Sequence, residues 1–124
     1  MQFACYQVKN DHRKASCSTV KSQWTSTPWE EISLFTLAQV SGWKTLNKDE
    51  LWAVHSVSGK PSSMGTFAGS HLFVARYVCS EAVWHGSPVL PLQFDKPPND
   101  VLQKWKADGL IPNAVFNKWV QGKL

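Results

Sequence analysis

Residues 102–110 read LQKWKADGL and residues 116–124 read FNKWVQGKL, so the last quarter of the chain carries one short pattern twice. Asn99 is an N-cap candidate for the first copy, and Gly109 suits a helix that ends in a left-handed turn. Pro112 stands at the start of the second copy, where proline favours the first turn of a helix. The pattern predicts two short helices joined by a turn.

The two helices of this hairpin are predicted at about residues 99–108 and 112–121. Each has an apolar face that suits packing on a core, and each has a polar side that faces water. The polar sides carry the candidate binding residues Lys104, Lys106, Asn113, Asn117 and Lys118.

The stretch from Val101 to Gln121 resembles a helix-turn-helix DNA-binding motif, above all in its second helix. The resemblance places Asn113, Asn117 and Lys118 where a recognition helix meets base edges and phosphates. Two features depart from the motif: Trp105 stands where a small residue is preferred, and the turn is one residue longer.

Composition limits the class of protein. A chain of 124 residues with 43% hydrophobic residues is long enough for one domain with its own core, which we expect to span residues 1–124. With 13 Lys and Arg against 9 Asp and Glu the net charge is +4, which modestly favours a polyanionic partner. Seven tryptophans exclude a disordered tail.

Cysteine usage and hydropathy bear on location. Cys5, Cys17 and Cys79 form no Cys-x-x-Cys pair, and their odd number leaves one unpaired, which favours reduced thiols. There is no signal-peptide pattern and no apolar run of about 18 residues. We therefore expect a cytoplasmic protein without a membrane segment.

The first half predicts a strand over residues 3–8 and one helix at about residues 28–40. Thr27 is its N-cap candidate, Pro28 its first residue, and Gly42 its terminator. The face predicted to be buried consists of Trp29, Ile32, Phe35, Leu37 and Val40.

The middle of the chain predicts β structure. Alternating residues at 51–57 and 71–79 predict two strands of a hairpin, with the Ser- and Gly-rich residues 58–70 as its loop. A third strand is predicted around residues 82–85, and the proline-containing residues 87–91 and 96–98 are excluded from central strands. The fold class is therefore α+β, with a small antiparallel sheet, one helix in the N-terminal half and a C-terminal helical hairpin.

Histidines offer the one route to catalysis. His55 and His71 flank the predicted loop, and His85 and Arg76 fall on the same sheet, so an acid, a base and a cation for phosphodiester cleavage are available. Lys60 is the alternative candidate for the cation. Zinc is not expected, because these histidines and Cys79 lack ligand spacing. Lys60 follows Gly59 but precedes a proline, so it does not complete a phosphate-binding loop, and no cofactor is predicted.

The tryptophan surplus favours a contact surface. Trp24, Trp43 and Trp84 lie at element ends, where an exposed indole beside Lys or Arg suits stacking on bases or a protein hot spot. The sequence predicts a small non-enzymatic protein that binds nucleic acid or a protein partner, of the kind found as phage or mobile-element accessory proteins. The alternative is a small metal-independent nuclease or toxin domain that uses the histidines.

Overall fold

The computed structural model describes residues 5–9, 12–13, 21–91 and 95–123. Their elements, in chain order, are β1 (Cys5–Tyr6), β2 (Gln23–Trp24), α1 (Pro28–Ser41), β3 (Glu50–Val54), β4 (Ser56–Val57), β5 (Lys60–Pro61), β6 (Gly65–Phe67), β7 (Ser70–Leu72), β8 (Val74–Ser80), β9 (Val83–Val89), α2 (Asn99–Ala107) and α3 (Asn113–Val120). The mixed α and β content and the three helices agree with the predicted class. None of the helices in these ranges is long and apolar enough to cross a membrane.

The largest sheet has four strands in the order β1-β9-β8-β3. β3, β8 and β9 are antiparallel neighbours, whereas β1 runs parallel to β9, so the sheet is mixed and not purely antiparallel as predicted. β8 and β9 are joined by Glu81 and Ala82, which both have positive φ. Two successive left-handed residues match the twist of a tight hairpin.

The prediction of a single loop over residues 58–70 is wrong, because this stretch contains β5 and β6 and the first residue of β7. Ser58 and Gly59 turn β4 into β5, and Ala68 and Gly69 turn β6 into β7, each pair having positive φ at both residues. β6 and β7 form a second sheet with β2. The predicted strand over residues 71–79 is therefore divided at Phe73 between two sheets.

The exclusion of proline from the sheet was too strict. β9 continues through Pro88, which lies opposite Ala75 of β8. β1 pairs with β9 only at Val83 and Trp84, so β9 has no partner from β1 at Pro88. A missing N–H is tolerated at such an edge position.

Helix α1 forms as predicted but presents the other face to the core. Thr27 and Glu30 form a capping box at its start, and Gly42 ends it with positive φ. Its buried residues are Glu31, Leu34, Phe35 and Ala38, whereas most of the predicted face is exposed: Trp29 at 77%, Ile32, Leu37, and Val40 at 82%. Of the predicted face only Phe35 is buried.

The helical hairpin is confirmed, with α2 and α3 within one residue of the predicted bounds. The predicted N-cap is wrong, because Asn99 is the first residue of α2 and Pro98 takes the N-cap position. Trp105 of α2 is fully buried and meets Trp43 and Trp119 edge-on, at ring-centroid distances of 5.7 and 6.5 Å. Trp43 is only 3% exposed and Trp24 only 6%, so the prediction that both lie on a contact surface is wrong. These indoles fill the core instead.

Candidate functional site

A groove of about 460 Å³ opens between α3 and the strands β5 and β7. Its floor is apolar and includes Leu72, Phe73, Val115 and Trp119. Prolines from three separate segments add to the walls: Pro61, Pro91 and Pro112. A concave, mostly apolar site with a few polar groups is typical of a binding site.

Two tight turns bring the two sides of the groove together. Gly59, in the turn before β5, lies so close to the α2–α3 turn that a Cβ atom there would be 3.3 Å from the carbonyl oxygen of Gly109. This contact holds Lys60 at the edge of the helical hairpin. On α3, Val115, Lys118 and Trp119 lie at i, i+3 and i+4 and so share one side of the helix.

The rim of the groove is cationic. Lys60, His71 and Lys118 are exposed, and the Nδ1 atom of His71 lies 3.1 Å from the hydroxyl of Ser63. No carboxylate of the described residues lines the groove or forms an ion pair with either lysine. Within the part of the chain that the structure describes, the two lysines therefore place positive charge above an apolar floor with no carboxylate paired to them.

The predicted binding residues do not form one surface. Lys118 lines the groove, whereas the ammonium of Lys106 lies 4.6 Å from the ring centroid of Phe116. Asn113 and Asn117 are exposed on α3 but do not line the groove.

Two further predicted binding residues lie away from the groove. The ammonium of Lys104 is near the C-terminal end of α1, 3.8 Å from where a Cβ atom of Gly42 would be. Trp84 is half-buried against Phe35, with ring centroids 5.5 Å apart, and lines a different depression together with Lys44.

The histidines are also distributed over different places. His55 lines a depression beside α1, together with Trp29 and Glu30, while His71 lies at the groove. His85 is on β9 opposite Val78. No group of three or more His, Cys, Asp and Glu residues in the described ranges is arranged to hold a metal ion.

Arg76, the predicted cationic partner of the histidines, is engaged by carboxylates. Its Nε donates to Glu50 at 2.8 Å, its Nη2 lies 2.5 Å from the same carboxylate, and Nη1 lies 3.6 Å from Asp95. Burial raises the pKa of Asp95, although Arg76 acts in the opposite direction. Arg76 is thus engaged in an ion-pair cluster with Glu50 and Asp95.

Two of the three cysteines lie in the described part of the chain. Cys5 and Cys79 are free thiols, Cys5 exposed and Cys79 half-buried. Cys17 lies outside the described residues.

A buried ion pair between the N-terminal segment and α1 was not predicted from the sequence. Glu31, which is 0% exposed, accepts hydrogen bonds from Arg13 Nη2 at 2.7 Å, from Arg13 Nε at 3.2 Å and from the hydroxyl of Tyr6. The guanidinium also donates to the carbonyl of Ser26 at 2.7 Å. Burial raises the pKa of Tyr6, and its hydrogen bond to Glu31 raises it further.

This ion pair has a structural role. Tyr77 donates to the backbone carbonyl of Glu31 at 2.8 Å, so the sheet, α1 and the N-terminal segment meet at one residue. The only sequence signal is that Glu31 shares the i, i+3, i+4, i+7 stripe of α1 with three apolar residues.

Phe73 of the groove was likewise not identified as a site residue, and Lys60 was considered only as a cation for the histidines. The groove is assembled from segments far apart in the sequence, so no local motif marks it.

Comparison with family models, with curated proteins and with solved structures finds no match to this chain.

Proposed function

We propose that this chain is a non-enzymatic binding protein whose groove between β5, β7 and α3 holds an acidic segment of a protein partner. The observation that carries the proposal is the pairing of an apolar groove of about 460 Å³ with a rim of two lysines that have no described carboxylate partner. A reducing, cytoplasmic location is part of the proposal and is supported by the free thiols of Cys5 and Cys79.

The floor of the groove selects an apolar anchor. Leu72 and Trp119 are buried and Phe73 is half-buried, so the floor is already packed against the core and needs little reordering on binding. Interfaces draw most of their energy from such anchors in well-packed pockets. A leucine or aromatic side chain of the partner fits this description.

The rim selects the charge of the flanking residues. Lys60 and Lys118 approach the groove from two sides, and an acidic residue on either side of the anchor would meet one of them. Complementary charge speeds association and discriminates against partners of the wrong sign. The preferred segment is therefore acidic, with one apolar anchor.

A protein segment fits better than a nucleic acid. Sequence-tolerant binding of single strands uses exposed aromatic faces, whereas Trp119 is buried in the floor. Duplex binding gains from many cooperating phosphate contacts, whereas Lys104, Lys106 and Lys118 lie in three different surroundings. DNA reading by Asn113, Asn117 and Lys118 stays a hypothesis and is one outcome of the test.

The test is selection from a random peptide library displayed on phage, with the full chain as target. We expect enriched peptides to contain a leucine or aromatic residue flanked by Asp or Glu, and to bind the Lys118→Glu variant less well. The Lys48→Glu variant, in the α1–β3 link away from the groove, is the matched control and should bind them as the native chain does.

Two outcomes contradict the proposal. One is selection without acidic or apolar preference, or with equal binding to Lys118→Glu. The other is binding of labelled DNA or RNA, measured in parallel, that weakens steeply with salt while no peptide is enriched.

A further inference from the structure

Helix α1 carries an exposed apolar surface that the core does not need. We define the outer stripe of α1 as Trp29, Ile32, Ser33, Thr36, Leu37 and Val40. All six are exposed, and no charged residue interrupts them. The core-facing stripe of α1, centred on Leu34 and Phe35, lies on the opposite side of the helix and is fully occupied. An exposed helix face in a monomer is normally polar, so this one marks an interaction surface.

We propose that the occupant of the outer stripe is a second copy of this chain, with the two α1 helices packed antiparallel across a two-fold axis. This inference is independent of the groove and of its proposed ligand.

The spacing of the outer stripe is self-complementary. If the axis passes midway between Ser33 and Thr36, these two residues face each other across it, Ile32 faces Leu37, and Trp29 faces Val40. Because an α-helix has 3.6 residues per turn, the midpoints of the three pairs fall on one line along the surface of α1. A two-fold contact makes each pair twice, which is the requirement of an isologous interface.

Side-chain size supports the same arrangement. Ser33 and Thr36 are small, and the hydroxyl of Thr36 already donates to the carbonyl of Ile32 at 3.1 Å, so the two helices can approach closely at the axis. Further out, Trp29 is 77% exposed and Val40 is 82% exposed. At each end of the contact a large ring would thus cover a smaller side chain.

Charged residues at the two ends of α1 favour an antiparallel pair of helices over a parallel one. Glu30 lies at the N-terminal end of the outer stripe, and Lys44 follows its C-terminal end. An antiparallel pair places each glutamate toward the lysine end of the other copy, whereas a parallel pair would bring like charges together. Hydrogen bonds from Thr27, first that of its backbone N–H, lower the pKa of the Glu30 carboxyl, so its charge is present at neutral pH.

The exposed area of the outer stripe limits the affinity of the dimer. The stripe offers on the order of several hundred Å² of apolar surface per copy, below the roughly 800 Å² per partner of a standard interface. We therefore expect a dimer that forms in the micromolar range and that dilution dissociates.

The experiment is sedimentation equilibrium of the full chain across the micromolar range. Ile32→Glu alone and Leu37→Lys alone should each give a monomer at every concentration, because each places a charge against an apolar residue. The double variant should recover the dimer, because each new glutamate then faces a new lysine, and salt should weaken it. Val57→Glu, at an exposed valine on β4, is the matched control and should dimerise like the native chain.

A native chain that stays monomeric throughout this range overturns the inference. A double variant that stays monomeric also overturns the inference. The new charges face each other only in the antiparallel dimer, so they would not restore a parallel dimer or the binding of another partner. Circular dichroism verifies that each variant is folded. Peptide binding in the groove should be unchanged in the three α1 variants; Val57→Glu serves as a control for dimerisation alone, because Val57 pairs with Lys60 at the rim of the groove.

Discussion

Replacing Arg13 by methionine should destabilise the fold far more than the loss of one surface charge. Arg13 is the only cation seen among the described contacts of the fully buried carboxylate of Glu31, and its guanidinium also satisfies the carbonyl of Ser26. Methionine keeps an apolar side chain of similar length but removes every donor, together with the guanidinium whose Cζ atom lies 5.8 Å from the ring centroid of Trp24. Glu31 then retains the Tyr6 hydroxyl as its remaining described side-chain donor.

The loss in the free energy of unfolding for Arg13→Met follows from the burial of the ion pair. Removing one partner of a buried ion pair costs about 3–5 kcal/mol, because the other charge is left uncompensated. Arg13 is itself 16% exposed, so the lower end of that range applies. A loss of about 3 kcal/mol is a large share of the typical 5–15 kcal/mol of a domain and lowers Tm by roughly 10 °C or more.

The assay is urea unfolding followed by tryptophan fluorescence, with Lys48→Met as a control at an exposed lysine. The Arg13→Met, Glu31→Met double variant should be more stable than Arg13→Met alone, because no buried charge remains. A loss below about 1 kcal/mol for Arg13→Met, the value of an exposed pair, would refute this reasoning.

Two further perturbations test the sheet. Gly86→Ala should cost about 1–3 kcal/mol in urea unfolding, because a Cβ atom at this position overlaps the ring of Tyr77; a neutral effect would contradict the packing. Glu50→Gln should make the free energy of unfolding depend less on pH in the acidic range. Burial alone would raise the pKa of Glu50, but hydrogen bonds from Thr45 and Arg76 outweigh it and hold the pKa below 4.5. The ionised carboxylate therefore stabilises the fold above about pH 4.5, and this stabilisation is lost as the pH falls through the lowered pKa. The free energies of unfolding of the native chain and the variant should differ above about pH 4.5 and become equal only at low pH.

The helices were predictable because their signals are local. Thr27 and Pro28 start α1 and Gly42 ends it, while Gly109 and Pro112 separate α2 from α3. Caps and stops act within a few residues, so a single sequence contains what is needed.

The small strands were missed because their turns carry a weak sequence signal. Ser58-Gly59 and Ala68-Gly69 both adopt positive φ at two successive residues, which Asn-Gly signals more clearly. The pairing of β2 with β6 joins residues far apart in the chain, and β1 runs parallel to β9. Such register is set by tertiary packing.

The buried face of α1 was predicted wrongly for a related reason. Apolar residues lie all around the helix, so periodicity alone does not choose a face. The choice depends on Arg13 and Tyr6, which together satisfy Glu31 within the core. A carboxylate takes a core position only when distant residues supply its hydrogen bonds.

The groove was predictable only in part. Lys118 was identified because it lies on the polar side of a recognisable helix. Lys60 and Phe73 reach the same place only through the β4–β5 turn and the division of a long predicted strand at residue 73. A site assembled from several segments leaves no motif in any of them.

The most direct measurement is the affinity of one library-selected acidic peptide, followed by fluorescence anisotropy, for the native chain, Lys118→Glu and Lys48→Glu. Binding through the groove predicts that Lys118→Glu weakens the affinity by about tenfold or more, since about 1.4 kcal/mol of a charge-assisted contact is lost, and that Lys48→Glu binds as the native chain does. Equal loss in the two variants, or none in either, would contradict the assignment of the groove as the binding site.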